Sequence, residues 1–468
     1  MTTPASWRAT DSRIGEISVA LIGSALAVAP LLVVAMPIAP IAVSLLPLAL
    51  VFAFPNPFLL CLAFVIFSFF RIHEAFPALN PLHIPQLLAL ATLMVLCWQV
   101  FLARSIRTFW SRELSVFAVF FTLVTLGLPL AASRPTAITY WTATYSKIAI
   151  MTVAIAWLTR TPRDFALASR AFVFAGAAIA AVTLYNKANG IGLVEGTRVT
   201  IGRDIQSVLG DPNDLSLVLL FPLSFATSLF IRRTGWISAL FGFLATLMII
   251  TAIIATQSRG GLLGLMTVFA IVGSRVIKSK AVLISIGVVA AIGLFAVAGI
   301  SGRSSGGAGE EGIDESSMGR IYAWGAAWHM ALKHPLNGVG VDNFVDSYFA
   351  YSEHWDGHNH AVHSTWFGVL GETGFPGILV FLFLIYTIAR SAFDAVQRLD
   401  RPEAPASARA MSLALLAGIA GFCVSGTFLT QGFTWPVYVL LALTTAISRF
   451  AKSDGDLSQS ATDIREAE

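Results

Sequence analysis

Apolar residues run along this chain in long unbroken blocks, separated by short polar breaks. They do not alternate with polar residues. A helix needs ~20 apolar residues to cross a hydrocarbon core of ~30 Å. Lipid offers no partner to an open backbone N–H or C=O, so such blocks must satisfy their own backbone as helices. The blocks predict spans near 15–36, 38–54, 56–72, 82–103, 113–132, 140–159, 165–186, 213–231, 236–256, 260–274, 281–300, 364–389, 410–429 and 433–449. Only Pro37 and the turn at 55–57 separate the first three, so the expected number is about 12–14. A barrel is excluded, because its strands would alternate. The expected fold is an all-α polytopic membrane protein, with one transmembrane domain over residues 1–452.

Composition agrees with the pattern. The chain is 56% hydrophobic and only 12% charged, where a soluble protein carries roughly 25% charged residues. The net charge of +4 fits basic membrane loops and is no footprint for nucleic acid. Basic residues fall on alternate connections: Arg104, Arg107 and Arg112; Arg160 and Arg163; Arg232 and Arg233; Arg275, Lys278 and Lys280; Arg390, Arg398, Arg401 and Arg409; Arg449 and Lys452. With Arg8 and Arg13 they orient the chain with both termini inside. The long connections near 187–212 and 301–363 then lie outside. Cys61, Cys97 and Cys423 sit in apolar runs without CxxC spacing, so neither a disulfide framework nor a metal knuckle is expected. The first apolar block is longer than a signal-peptide core and reads as an uncleaved span. SGRSSGGAGEEG at 301–312 reads as a flexible linker, and the acidic tail 453–468 as disordered. After the linker, Ile321, Trp324, Trp328 and Ala331 recur at helical spacing up to Pro335. They predict an amphipathic helix lying on the outer membrane surface.

Polar groups near membrane depth are costly, so each is a functional candidate. On the outer side these are Arg198, Arg203, Asp211, Asn213, Arg259, Arg320, His358, His360, His363 and Glu372. Plainer roles stand beside them. Asp211 with Pro212 suits a helix N-cap. Arg259 could be an interfacial arginine, although it stands on the side poor in basic residues. Glu372 could cap a helix break near Gly371 and Gly374. His363 stands where the loop re-enters the membrane, and an imidazole with a pKa near ~6.5 suits a general base. Arginine holds phosphate oxygens bidentately and keeps its charge. Outward arginines beside lipid therefore point to a diphosphate headgroup, and a base beside it points to group transfer, with the arginines stabilising the leaving group in place of a metal. The HxHxxH of His358, His360 and His363 is the metal alternative. It lacks HExxH and any nearby Cys, so the reading is no metal and no cofactor.

Four stretches carry a resemblance: DPND at 211–214, SRGGLLG at 258–264, GRIYAWGAAWHMALKHPLNGVGVDNF at 319–344 and HSTWFGVLGETGFPGILVF at 363–381. In order and spacing the chain resembles the O-antigen ligase and O-antigen polymerase superfamily of membrane glycosyltransferases. The resemblance implies a GT-C-like helical bundle in the bacterial inner membrane, with a large periplasmic loop and a periplasmic active site. It also implies a glycan donor on undecaprenyl diphosphate, and an acceptor that is a lipid A core or another glycan. By position the family's catalytic histidine falls on His363. Its essential arginine falls on Arg259, a second on Arg198 or Arg203, and Arg320 opens the loop helix. Ser364 departs from the Asn usual after that histidine. Trp355 and Trp366 suit stacking on sugars or anchoring at the interface. The expected activity is inverting, metal-independent glycan transfer to an acceptor hydroxyl, ligase-like. Alternatives are an O-antigen or exopolysaccharide polymerase, a protein O-glycosylating member, and, from another class, a lipid-linked oligosaccharide flippase. A flippase would need charges lining a path through the bilayer and an internal repeat, and neither is evident.

Overall fold

A computed structural model describes residues 56–75, 83–205, 207–232, 234–297 and 315–467. The spans expected at 15–36 and 38–54 and the linker 301–312 lie outside the described residues. The described helices are α1 (Pro57–Phe69), α2 (Ile84–Cys97), α3 (Arg112–Gly127), α4 (Arg134–Tyr140), α5 (Ser146–Leu158), α6 (Pro162–Ala188), α7 (Pro212–Ile231), α8 (Trp236–Thr256), α9 (Arg259–Gly273), α10 (Lys280–Val297), α11 (Glu315–Lys333), α12 (Phe344–Tyr351), α13 (Thr365–Leu399), α14 (Ala406–Ser425) and α15 (Trp435–Ala467). Between α6 and α7 a two-stranded hairpin pairs β1 (Leu193–Val194) antiparallel with β2 (Arg198–Val199). The chain is thus an all-α polytopic membrane protein. By internal contacts it forms two units, one drawing on residues 56–64 and Gln86–Arg107, the other on Val65–Pro85 and the described residues from Thr108 onward. The site discussed below lies wholly in the second.

Among the described residues, seven helices are long and apolar enough to cross a membrane. Two of the 12–14 expected spans lie outside the described residues, and others form shorter helices. The blocks at 56–72 and 260–274 form helices of 13 and 15 residues, which at ~1.5 Å per residue fall short of a ~30 Å core. The third short apolar stretch is Lys280–Leu294. The block at 140–159 is a relay of α4, a π-turn at Trp141–Tyr145 and α5. The last helix carries helical backbone to Ala467, through the segment expected to be a disordered tail.

Helix starts follow the local sequence. Thr161 and Asp164 form a capping box at α6, with Pro162 at the first position. Asp211 caps α7, Ser258 caps α9 and Ser364 caps α13. Helix α7 is the central post of its unit. It packs on α6, α8, α9 and α14, and most of it is buried. Phe172, Phe221 and Phe225 fill the α6–α7 seam, with ring centroids 4.9–5.2 Å apart. On α8, Ile237, Leu240, Leu244 and Leu247 stay exposed on one stripe, the face suited to lipid.

The loop helix α11 docks on the protein through one of its faces. Its buried face is Ala323, Ala326, Ala327 and Met330, packed with Phe344, Tyr348 and Val362. Ala residues let α11 approach α13 closely. Of the apolar positions read from the sequence, Ile321 and Trp328 remain about half exposed (48% and 45%), while Trp324 stacks on Phe367 at 5.2 Å and Ala331 is buried. The helix therefore has two apolar faces, and the alanine-rich one docks on the protein. Helix α13 is broken at Gly374 (φ 68°, ψ −168°). A Cβ there would lie 2.5 Å from the Pro335 carbonyl oxygen. Only glycine supplies both the left-handed backbone and the space.

Candidate active site

Among the polar residues singled out from the sequence, Arg198, Asp211, Asn213 and Arg259 meet where α7 and α9 begin, and His363 precedes α13. The chain passes from α8 to α9 with only Gln257 and Ser258 between. Gln257 makes the turn in the left-handed region (φ 51°), and the Ser258 hydroxyl accepts the Gly261 N–H at 3.1 Å. Arg259 thereby becomes the first residue of α9, half-buried. The Ser258 hydroxyl donates in turn to Asn213 Oδ1 at 2.9 Å. The same oxygen accepts from Arg198 Nη2 at 2.8 Å. Asp211 Oδ1 accepts the N–H groups of Asn213 and Asp214 at 2.7 and 3.2 Å. The DPND stretch is thus both a cap and a junction.

The two candidate arginines of the 187–212 connection have different surroundings. Arg198 is buried and its Nε donates to the Thr256 carbonyl at 3.2 Å, with Glu195 at 3.7 Å. It fastens the hairpin to the end of α8. Arg203 is exposed, and its Cα lies 3.0 Å from where a Cβ on Gly210 would sit. It stands beside the same junction with its side chain toward solvent.

The segment 426–434 closes the arrangement. Thr365 Oγ1 donates to the Leu429 carbonyl at 2.7 Å and accepts the Gln431 N–H at 3.1 Å. Gln431 Nε2 donates to Asp214 Oδ1 at 2.6 Å, and Trp366 Nε1 to Thr427 Oγ1 at 3.0 Å. Phe428 packs beside Gly260, where an added Cβ would lie 3.2 Å from it. The Arg320 guanidinium lies 5.8 Å over the Phe428 ring. One short segment thus links the starts of α7, α9 and α13 to Arg320 on α11.

His363 sits two residues before α13, half-buried, with φ of 44°. Its pKa is held below the ordinary imidazole value, first by burial and then by the Arg320 charge, while Asp211 pulls it the other way. That coupling means Arg320, Asp211 and His363 share one local field. A neutral imidazole with an open nitrogen can accept a proton near neutral pH. The helix starts add to the field. Each N-terminus carries about half a positive charge, and unsatisfied N–H groups there suit an anion.

Glu372 stands apart, roughly 10 Å along α13 from its first residue at ~1.5 Å per residue. It accepts the Phe344 N–H at 3.3 Å. The loop after α11 bonds to the same turn through Val339 N to Gly371 O (2.9 Å) and Gly340 N to Glu372 O (3.1 Å). Glu372 clasps this loop to α13. The other clustered histidines have partners of their own, with Asp356 shared between His358 and His360. His354 stacks on Tyr322 at 4.0 Å. His360 Nε2 meets Asp356 at 3.0 Å, and His358 is solvent-exposed. Among the described residues, no three His, Cys, Asp or Glu side chains are arranged to hold a metal, so the HxHxxH triad does not converge. Trp366 is tied inward to Thr427, whereas Trp355 is exposed beside Phe349.

Sequence reasoning missed Ser258, Asp214, Phe428 and Gln431. A signal existed in TFLTQGFT at 427–434, where four polar residues interrupt two apolar helices. It was hidden because none of them is charged.

A helical membrane bundle with arginines, a histidine and three helix N-termini at one end defines a membrane protein with an anion-binding, base-bearing candidate site. Residues 241–382 match the family model described as O-antigen ligase. The match bears out the resemblance to the O-antigen ligase-like superfamily, whose members are ligases or polymerases of the glycosyltransferase type. It covers Arg259, Arg320, His363 and Glu372. No curated protein matches the chain.

Proposed function

We propose that the protein transfers a glycan from undecaprenyl diphosphate to an acceptor hydroxyl at the periplasmic face, as an O-antigen ligase does with a lipid A core acceptor. His363 removes the proton from the acceptor hydroxyl. The oxygen attacks the anomeric carbon, the bond to the diphosphate breaks, and inversion follows from attack opposite the leaving group. Arg259, Arg320 and Arg203 hold the departing diphosphate, and the N-termini of α7, α9 and α13 add to its stabilisation. Arg198 positions Asn213 and the α8–α9 turn. Asp211 and Asn213 support the site, and Glu372 acts at a distance by fixing the loop behind α11. In this reading the guanidinium groups supply the positive charge that a metal would otherwise provide.

The observation that carries this reading is the segment 426–434, which joins the starts of α7 and α13 through Gln431–Asp214 and Thr365–Leu429 and sets Phe428 between Gly260 of α9 and the Arg320 guanidinium. The glycan profile of a cell lacking the gene tests it. Loss of polymer from lipid A with accumulation of long lipid-linked polymer supports a ligase. Single repeat units left on lipid A point to a polymerase instead. An unchanged surface and lipid-linked pool would remove glycan transfer altogether.

A further inference from the structure

At the end where α5 and α15 finish their apolar runs, Phe109, Thr159, Arg160, Arg449, Phe450 and Ser453 line a cavity of about 170 Å³. The candidate active site is far from it. Helix α6 starts beside the cavity and ends near the hairpin that carries Arg198, and its 27 residues span ~40 Å at ~1.5 Å each. Nothing in the proposed transfer uses the cavity.

Its charges are unusual. Arg160 lies in the break between α5 and α6, where its Nε donates to the Trp157 carbonyl at 2.5 Å. Trp157 Nε1 donates to the Phe109 carbonyl at 2.8 Å. Arg449 stands on the last helix, with its guanidinium 4.1 Å over the Phe109 ring. That ring is a shelf that holds the charge in place. Arg449 acts unfavourably on Arg160, so two like charges face one small space. A carboxylate that acts favourably on Arg160 is Asp164. Its Oδ2 is turned to the N–H groups of Arg160 and Thr161 in the α6 cap, so it serves the backbone first. The hydroxyls of Thr159 and Ser453 donate to their own helices at Ile155 and Phe450. Recognition in the cavity therefore falls to the two guanidiniums, and the walls are aromatic.

An anion between the two guanidiniums would turn their repulsion into attraction, and forked donors match phosphate oxygens. We propose that this cavity is a binding site for a phosphate ester, the headgroup phosphate of an anionic phospholipid or a free phosphate. Basic pockets between membrane helices suit such headgroups, and Phe109 and Phe450 give an apolar wall along which an acyl chain can lie.

Native mass spectrometry of the full chain in detergent tests this. Dioleoyl phosphatidylglycerol, dioleoyl phosphatidylcholine and inorganic phosphate are titrated separately. The wild type is expected to retain phosphatidylglycerol over phosphatidylcholine. Arg449→Gln should weaken that retention roughly fivefold, and adding Arg160→Gln roughly fivefold again. Phosphate binding with the same sensitivity, and no preference between the lipids, assigns the site to free phosphate. Equal retention of phosphatidylglycerol by wild type and Arg449→Gln overturns the proposal. Because Arg449 is exposed, that single variant keeps the test valid should the double variant fail to fold. Arg449→Lys should restore part of the binding.

Discussion

The two ends of the larger unit both carry arginines, and they carry them in opposite settings. At one end Arg232 pairs with Asp400 at 2.8 Å, and Arg401 pairs with Asp454. Arg275 lies over Phe393 at 5.6 Å. These residues follow the C-terminal ends of α7, α13 and α9, where a positive charge complements the helix dipole. At the other end Arg259 is the first residue of α9, where the dipole opposes it. Arg320 lies near the caps of α9 and α13. A cation at a helix C-terminus explains itself. A cation at a helix N-terminus runs against the dipole, and it is there that the proposed transfer places its diphosphate.

The largest effect should come from His363→Ala. A general base contributes about 10²–10⁴ in rate, so glycan transfer by purified, reconstituted protein should fall by about that factor while expression and melting temperature hold. Transfer within threefold of wild type would show that the imidazole takes no proton. Arg259→Lys should follow. An ammonium keeps the charge but loses the fork, and loss of one leaving-group contact costs on the order of 10² in rate. If the lysine variant works normally, the N-terminal end needs only charge, and the contrast between the two ends loses its geometric half.

The alternation of basic connections was legible in the sequence, and within the larger unit the structure brings several of them together: Arg232 reaches Asp400, Ser407 Oγ donates to the Pro162 carbonyl at 2.8 Å, and Arg401 pairs with Asp454. Apolar blocks located the helices well, because lipid and backbone chemistry leave few alternatives. The block at 260–274 was already short in the sequence, and α9 forms over nearly the same residues, Arg259–Gly273. DPND, Arg259, Arg320 and His363 stood out because charge is rare in this chain. Gln431 and Phe428 did not, because neutral polar and aromatic residues are common in such helices. The docked face of α11, Ala323, Ala326, Ala327 and Met330, did not stand out either. Large apolar side chains dominate a helical-wheel reading, yet it is small alanines that let two helices close on each other.

Arg320→Gln should have a milder effect with a distinct signature. Burial and Arg320 together hold the His363 pKa below its ordinary value. Activity that needs the neutral imidazole is lost as pH falls through that depressed pKa. Removing Arg320 should therefore raise the pKa and move the acid limb of the pH–rate profile toward higher pH. The rate on the plateau should drop only several-fold, because Arg259 remains. A plateau loss with no movement of the acid limb would leave Arg320 as a diphosphate contact alone, uncoupled from the base.

Asp400→Asn probes the opposite end and should do least. The Arg232–Asp400 pair is half-exposed on its acidic side, and such pairs contribute about 0–1 kcal/mol. Arg232 would keep its favourable position after the C-terminus of α7, so its charge is not stranded. Melting temperature should shift by a degree or two at most, and transfer should stay within twofold of wild type. A tenfold loss of transfer here would mean that the ends communicate through α7, the post that runs between Asp211 and Arg232. The arginines at the two ends would then belong to one coupled system, and their contrast in setting would no longer separate a structural role from a chemical one.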